Sequence, residues 1–189
     1  AKVAVIVVGI GALAGAIIGS IPLRGKPGIS IDRKRCLYVF VAMALSTSIV
    51  MPLKRATEMQ CPWSLDRYGG VEHYSALTDT RSVPVEKPGK CWPGGHASSG
   101  FCLFALFFAL RDIRPRAARL ALATALGLGI TFSVGRMLQG AHFLSHNVWT
   151  ALIDWTISAA LYQLLLYPAT CKAFEQRAIS ATMATPCDV

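Results

Sequence analysis

Charged side chains are scarce in this chain. Of its 189 residues only 15% are Asp, Glu, Lys or Arg, while 53% are hydrophobic and the mean hydropathy is +0.47. An ordinary soluble domain carries charge on about a quarter of its residues. The shortage of charge therefore argues against such a domain and predicts a membrane protein.

The sequence also lacks the two-residue alternation of polar and apolar side chains that a membrane β-barrel requires. Five apolar runs are present instead, and most approach the roughly 20 residues that cross about 30 Å of hydrocarbon as a helix. The predicted fold is all-α, a polytopic transmembrane helical bundle. Its five predicted spans are residues 3–23, 36–53, 97–110, 117–134 and 147–167.

Acidic residues are few, and the net charge is +9. The placement of this charge argues against a nucleic-acid partner, because the basic residues cluster in two short segments, 24–35 and 111–119. Segment 54–96 is nearly balanced, with six Lys/Arg against five Asp/Glu. By the positive-inside rule, the two basic segments are cytoplasmic and residues 54–96 form an external loop.

The chain shows no initiator Met, basic leader or cleavage pattern, so residues 1–23 are interpreted as a span rather than a signal peptide. Two alternatives follow for the complete protein: five spans, or six with one upstream of this sequence. Residues 1–189 are interpreted as one domain, and residues 168–189 as a disordered cytoplasmic tail. Asp154 falls inside the last span, where a carboxylate has either a functional role or a hydrogen bond to a neighbouring helix.

Histidine is rare as well: there are four, and three of them lie in two short stretches on the predicted external face. Phosphoryl transfer needs cations, backbone amides and imidazoles that act as nucleophile or acid. The three stretches that supply these groups are Lys54 with Cys61-Pro62, then Pro93-Gly94-Gly95-His96, then Arg136 with His142 and His146.

These stretches resemble the motifs of the type 2 phosphatidic acid phosphatase (PAP2) superfamily, K-x6-R-P, P-S-G-H and S-R-x5-H-x3-D. Seven of the eleven motif positions are kept, in the right order and spacing: Lys54, Pro62, Pro93, Gly95, His96, Arg136 and His142. The four departures are Cys61 for Arg, Gly94 and Gly135 for Ser, and His146 for Asp. The resemblance covers residues 36–167. It implies six helices with an external site, and thus a span missing upstream.

The resemblance also implies a role for each residue. His142 is the expected nucleophile, forming a phosphohistidine, and His96 is the general acid. His146 is expected to orient His142 in place of the family's Asp. The expected phosphate-binding groups are Lys54, Arg136, the amides of Gly94 and Gly95, and Arg67 or Arg55 in place of the missing Arg.

Two cysteines lie on the external side of the predicted topology, Cys61 in the first motif and Cys91 just before the second. An oxidising periplasm permits a disulfide between them, which would close a loop of about 30 residues. Such a bridge would hold Lys54 near His96.

The sequence and the resemblance together predict a metal-independent phosphatase without cofactors, facing the periplasm from a bacterial inner membrane. Its expected substrate and partner is a lipid phosphate: phosphatidic acid, phosphatidylglycerol phosphate, undecaprenyl pyrophosphate or a lipid A phosphate. The oligomeric state is not predicted. Two alternatives are a metal-dependent hydrolase built on His96, His142 and His146, since a spacing of four residues suits zinc on a helix, and a non-enzymatic helical membrane subunit.

Overall fold

The computed structural model describes residues 33–76 and 88–167, and in this part of the chain it contains helices and no strand. The predicted all-α class is therefore confirmed for these residues. Two 3₁₀ turns follow the second helix, Pro62–Ser64 and Asp66–Tyr68. The helices are α1 (Arg33–Ser48), α2 (Val50–Thr57), α3 (Gly95–Phe101), α4 (Phe104–Leu110), α5 (Pro115–Leu138) and α6 (Leu144–Leu165).

Two helical stretches are long and apolar enough to cross a membrane, Arg33–Ser64 and Pro115–Leu138. The stretch Gly95–Leu110 is apolar but shorter. The predicted span 3–23 and the predicted tail 168–189 lie outside the described residues. The count of five spans therefore stays a prediction, while two candidate spans are present.

Local sequence explains where the helices that carry the site begin and end. Pro115 opens α5, where its fixed φ suits the first turn and its missing N–H costs nothing. Helix α2 ends because Glu58 adopts the left-handed conformation, with φ 46°, and its N–H donates to the Lys54 carbonyl. This turn places Lys54 in the last turn of α2, at the start of the loop that follows.

The buried hydrophobic core draws on α1, α3, α4, α5 and α6, and an aromatic cluster of α4 and α6 packs at its edge. Trp155 packs with ring centroids 5.2 Å from Phe104 and 4.9 Å from Phe108. Helix α3 approaches α5 closely, because Gly100 faces the backbone of Gly129 and neither residue has a side chain to separate the helices.

Helix α6 turns a polar face into the bundle. Tyr38 on α1 donates to the carbonyl of Ser158 at 2.8 Å, and Tyr162 donates to Asp112 at 2.7 Å. Asp154 is fully buried beside Ser98, yet neither carboxylate oxygen has a well-formed hydrogen bond among the described residues. The buried polar residues of α6 are His146, Asn147, Thr150, Asp154, Ser158 and Tyr162.

Candidate active site

A disulfide joins the first two motif stretches: Cys61 is bridged to Cys91, with their Cα atoms 5.2 Å apart. The structure thus contains the bridge that the sequence predicts. Beside it, the Cys91 N–H donates to the Met59 carbonyl at 3.0 Å. The Cys91 sulfur also lies 2.9 Å from the carbonyl oxygen of Ala141, the residue before His142. All three stretches therefore meet at the bridge.

The turn between α5 and α6 is fixed on the first motif. The Trp63 N–H donates to the Gly140 carbonyl at 3.0 Å, and the Ala141 N–H donates to the Arg136 carbonyl at 3.0 Å. Gly140 has φ +65°, a conformation that glycine adopts without a Cβ penalty. The Arg136 guanidinium carbon lies 5.9 Å from the centre of the Trp63 ring. This turn holds Arg136 and His142 on one side of the bundle.

Lys54 connects the first stretch with the second. Its Nζ donates to the carbonyl of Lys90 at 2.8 Å, which leaves two further N–H donors. A Cβ atom placed on Gly95 would lie 4.0 Å from this Nζ, so the ammonium stands beside the start of α3. Burial is the main cause that lowers the pKa of His96, His142 and His146, and the Lys54 charge lowers all three further.

His142 and His146 lie together at the start of α6, both buried. Their ring centroids are 6.0 Å apart with an interplanar angle of 69°. The Nδ1 atoms of both rings are buried and have no hydrogen-bond partner. The two rings are therefore neighbours in packing contact, not a hydrogen-bonded pair.

The environment keeps His142 neutral. Burial, followed by the charges of Lys54, His146 and Arg136, lowers its pKa to about 4, and the nearby Cys91 backbone opposes this shift only in part. A neutral imidazole has the free lone pair that nucleophilic attack requires. His142 thus has the protonation state that a nucleophile needs at neutral pH.

His96 is exposed at the second position of α3. Its pKa is lowered by partial burial, then by the charges of Arg136 and Lys54. An exposed imidazole beside these cations is accessible to a departing group, as a general acid must be.

A sequence profile of the PAP2 superfamily matches residues 35–168, more than half of the chain. The chain belongs to the PAP2 superfamily. No curated protein and no solved structure matches it. Membership indicates a phosphatase acting on a phosphate ester. All three motif stretches of this PAP2 chain fall within the matched residues.

The second PAP2 motif has one amide that is already engaged. The Gly94 N–H donates to the Thr150 hydroxyl at 2.8 Å, and Gly94 is buried. This amide is therefore directed into the protein. Gly95 is the first residue of α3, and its amide has no intrahelical partner by position. The sequence analysis predicts that the amides of Gly94 and Gly95 bind phosphate. The geometry favours the Gly95 amide for this role.

The predicted arginines differ in their placement. Arg136 is held by Gln139, whose side-chain oxygen accepts from Nη1 at 2.6 Å, and the Arg136 Nε is buried without a partner. Arg67 and Arg55 are exposed, and in the described residues neither guanidinium makes a hydrogen bond or an ion pair. The charge of Arg136 acts on His96 and His142, whereas Arg67 and Arg55 make no hydrogen bond or ion pair with these residues in the described part of the chain.

The sequence did not single out Gln139, Asn147 or Thr150. Gln139 lies three residues after Arg136, a spacing that brings side chains together on a helix end. Thr150 lies four residues after His146, and its hydroxyl donates to the His146 carbonyl at 2.7 Å. A polar residue three or four positions after a motif residue was therefore the sequence signal that could have identified Gln139 and Thr150.

The described residues contain no group of three or more His, Cys, Asp or Glu side chains placed to hold a metal ion. His96, His142 and His146 thus do not form the metal site that the alternative interpretation requires. The cationic neighbours Lys54 and Arg136 suit an anion at this position.

Proposed function

We propose that this chain is an integral-membrane lipid phosphatase that hydrolyses a phosphomonoester or pyrophosphate headgroup through a phosphohistidine on His142. The observation that supports the proposal most strongly is the buried imidazole of His142, whose pKa is lowered by burial and then by the nearby charges of Lys54 and Arg136. An enclosed nucleophile beside fixed positive charge is what phosphoryl transfer needs.

In the proposed reaction His142 attacks phosphorus, and the bond from phosphorus to the lipid oxygen breaks. His96 gives its proton to that oxygen as the lipid leaves. A water molecule then attacks the phosphohistidine, His96 takes the proton of the water, and phosphate departs with the imidazole restored. Lys54, Arg136 and the Gly95 amide stabilise the equatorial oxygens, and loss of one such donor costs about 10²- to 10³-fold in kcat.

Exposed apolar side chains around the site support a lipid substrate. Tyr68 and Tyr74 both contact the Phe143 ring, at centroid distances of 6.4 and 6.1 Å, next to His142. Aromatic side chains of this kind favour the headgroup layer of a membrane. The large exposed residues beside the site are Trp63, Tyr68, Tyr74 and Leu144.

The test is phosphate release by the purified protein from phosphatidic acid, phosphatidylglycerol phosphate, undecaprenyl pyrophosphate and lipid A. We expect release from at least one of them, its loss in His142→Ala, and its retention in His73→Ala. His73 is the matched control, because it is the one histidine outside the motifs and it bonds to Asp66 on the surface. Acid-labile ³²P bound to the wild type, and absent from His142→Ala, would identify the intermediate.

A chelator separates this proposal from the metal-dependent alternative, which predicts loss of turnover after metal removal. Absence of turnover on all four lipids would favour the non-enzymatic alternative.

We also propose that the site faces the periplasm of a bacterial inner membrane. Single cysteines at Asp79 and Ser30 report on this topology in intact cells. We expect an impermeant thiol reagent to label position 79 and to leave position 30 unlabelled; labelling of position 30 from outside would invert the topology.

A further inference from the structure

Two of the four departures from the PAP2 motifs replace serine by glycine. The two glycines differ in the space that the structure leaves beside them. A Cβ atom placed on Gly135 meets nothing within 4 Å. A Cβ atom placed on Gly94 would lie 2.5 Å from Oδ1 of Asn147 and 3.4 Å from Oγ1 of Thr150. The space of a side chain at position 94 is therefore already occupied.

Asn147 can move away from position 94 only within the protein interior. It is buried in the first turn of α6, and its Nδ2 donates to the Phe143 carbonyl at 3.4 Å. Its Oδ1 is directed at Gly94 and has no hydrogen-bond partner. A serine at position 94 would have to displace this amide from a closely packed interior.

Thr150 links the same loop to the histidine helix with one hydroxyl group. Its Oγ1 accepts from the Gly94 N–H at 2.8 Å and donates to the His146 carbonyl at 2.7 Å. Thr150 is 1% exposed, so water does not compete for either bond. The Thr150 hydroxyl therefore connects Gly94, two residues before His96, with the first turns of α6, which begins just after His142.

We propose that Asn147 and Thr150 are positioning residues that take over, in this chain, the place of the missing serine. Asn147 fills the volume beside Gly94, and Thr150 holds the Gly94 amide, so together they fix the general acid His96 relative to the nucleophile His142. This inference rests on the proposed function. It implies that glycine at position 94 is required here and that restoring the family residue is harmful.

The first experiment compares Gly94→Ser with Gly135→Ser, two identical changes that restore the family residue. We expect Gly94→Ser to lower kcat about 10- to 100-fold, because small displacements of reacting groups are costly. Gly135→Ser should stay within about twofold of wild type, because its Cβ meets open space. Adding Asn147→Ala to Gly94→Ser should restore most of the lost kcat. Equal effects of the two serines, or no restoration by Asn147→Ala, would overturn the role of Asn147.

The second experiment removes the Thr150 hydroxyl. Thr150→Val keeps the shape and loses both bonds, whereas Thr150→Ser keeps the hydroxyl. We expect Thr150→Val to lower kcat about tenfold with little change in KM and to shift the alkaline limb of the pH profile, which reports His96. Thr150→Ser should restore both. A wild-type kcat and pH profile in Thr150→Val would overturn the positioning role.

Thermal unfolding of the same variants without substrate distinguishes this inference from the proposed function. Gly94→Ser should unfold at a lower temperature than Gly135→Ser, and Asn147→Ala should recover the difference. If the wild type hydrolyses no lipid phosphate, the proposed function fails, while the order of the unfolding temperatures still decides whether Asn147 excludes a side chain at position 94.

Discussion

The imidazole rings of His142 and His146 pack 6.0 Å apart between centroids without a hydrogen bond between them. In the PAP2 pattern the second of these positions is Asp, which the resemblance gives the role of orienting the nucleophilic histidine. Here the Nδ1 of His142 is buried and unpartnered. His146 therefore makes no hydrogen bond to the Nδ1 of His142 in this geometry.

This arrangement predicts that restoring the family's Asp is favourable. His146→Asp should keep substantial phosphatase activity, because a carboxylate can accept the Nδ1 proton and stabilise a cationic His142. His146→Ala should lose at least about tenfold in kcat/KM, because it leaves His142 without its neighbouring ring. Phosphate release and metal content are measured together on all three proteins. A fully active, metal-free His146→Ala would contradict both the orienting and the metal role.

The pKa shifts predict an acidic optimum of kcat/KM. Protonation of His142 destroys the nucleophile, so activity should fall as the pH drops through about 4. Deprotonation of His96 removes the general acid, so activity should fall as the pH rises through a pKa below the ordinary 6.5. The optimum of the free enzyme should therefore lie between these limits. His96→Asn should abolish the alkaline limb, and an optimum above pH 7 in the wild type would contradict the assignment.

The close approach of α3 and α5 predicts opposite effects for two glycine substitutions. Gly100→Ala should destabilise the fold by about 1–3 kcal/mol, because its Cβ would meet the backbone at Gly129, which cannot give way. Gly127→Ala is the matched control in α5, where a Cβ meets nothing within 4 Å. It should be neutral or stabilising by up to about 1 kcal/mol through helix propensity. Thermal unfolding measures both, and equal effects would contradict the packing described here.

The Cys61–Cys91 bridge predicts a stability that depends on redox conditions. It closes a loop with a sequence separation of 30, so the double variant Cys61→Ser/Cys91→Ser should lose about 3 kcal/mol of folding stability. The change should also lower phosphatase activity, because the bridge joins the Lys54 and His96 segments. Peptide mapping without reduction should show residues 61 and 91 in one linked fragment. Two free thiols in protein from an oxidising compartment would contradict the bridge.

The sequence alone predicts the helical class, the family and the main candidates for the chemistry. Apolar runs specify helices because their length and lack of alternation leave no other way to satisfy the backbone in lipid. Lys54, His96 and His142 stand out because the spacing within each motif can be recognised along the sequence without knowledge of the fold. The cysteine pair follows from the charge pattern, which leaves only Cys61 and Cys91 in the predicted external loop.

Only the tertiary structure decides how residues about 50 positions apart meet. The contacts of Gly94 with Asn147 and Thr150 depend on how helices and loops pack. No local pattern encodes that packing, because side-chain direction across an interface is set by the relative placement of two elements. The same holds for the His142–His146 contact: the sequence places the rings one helical turn apart, and the packing around them decides that they do not hydrogen-bond.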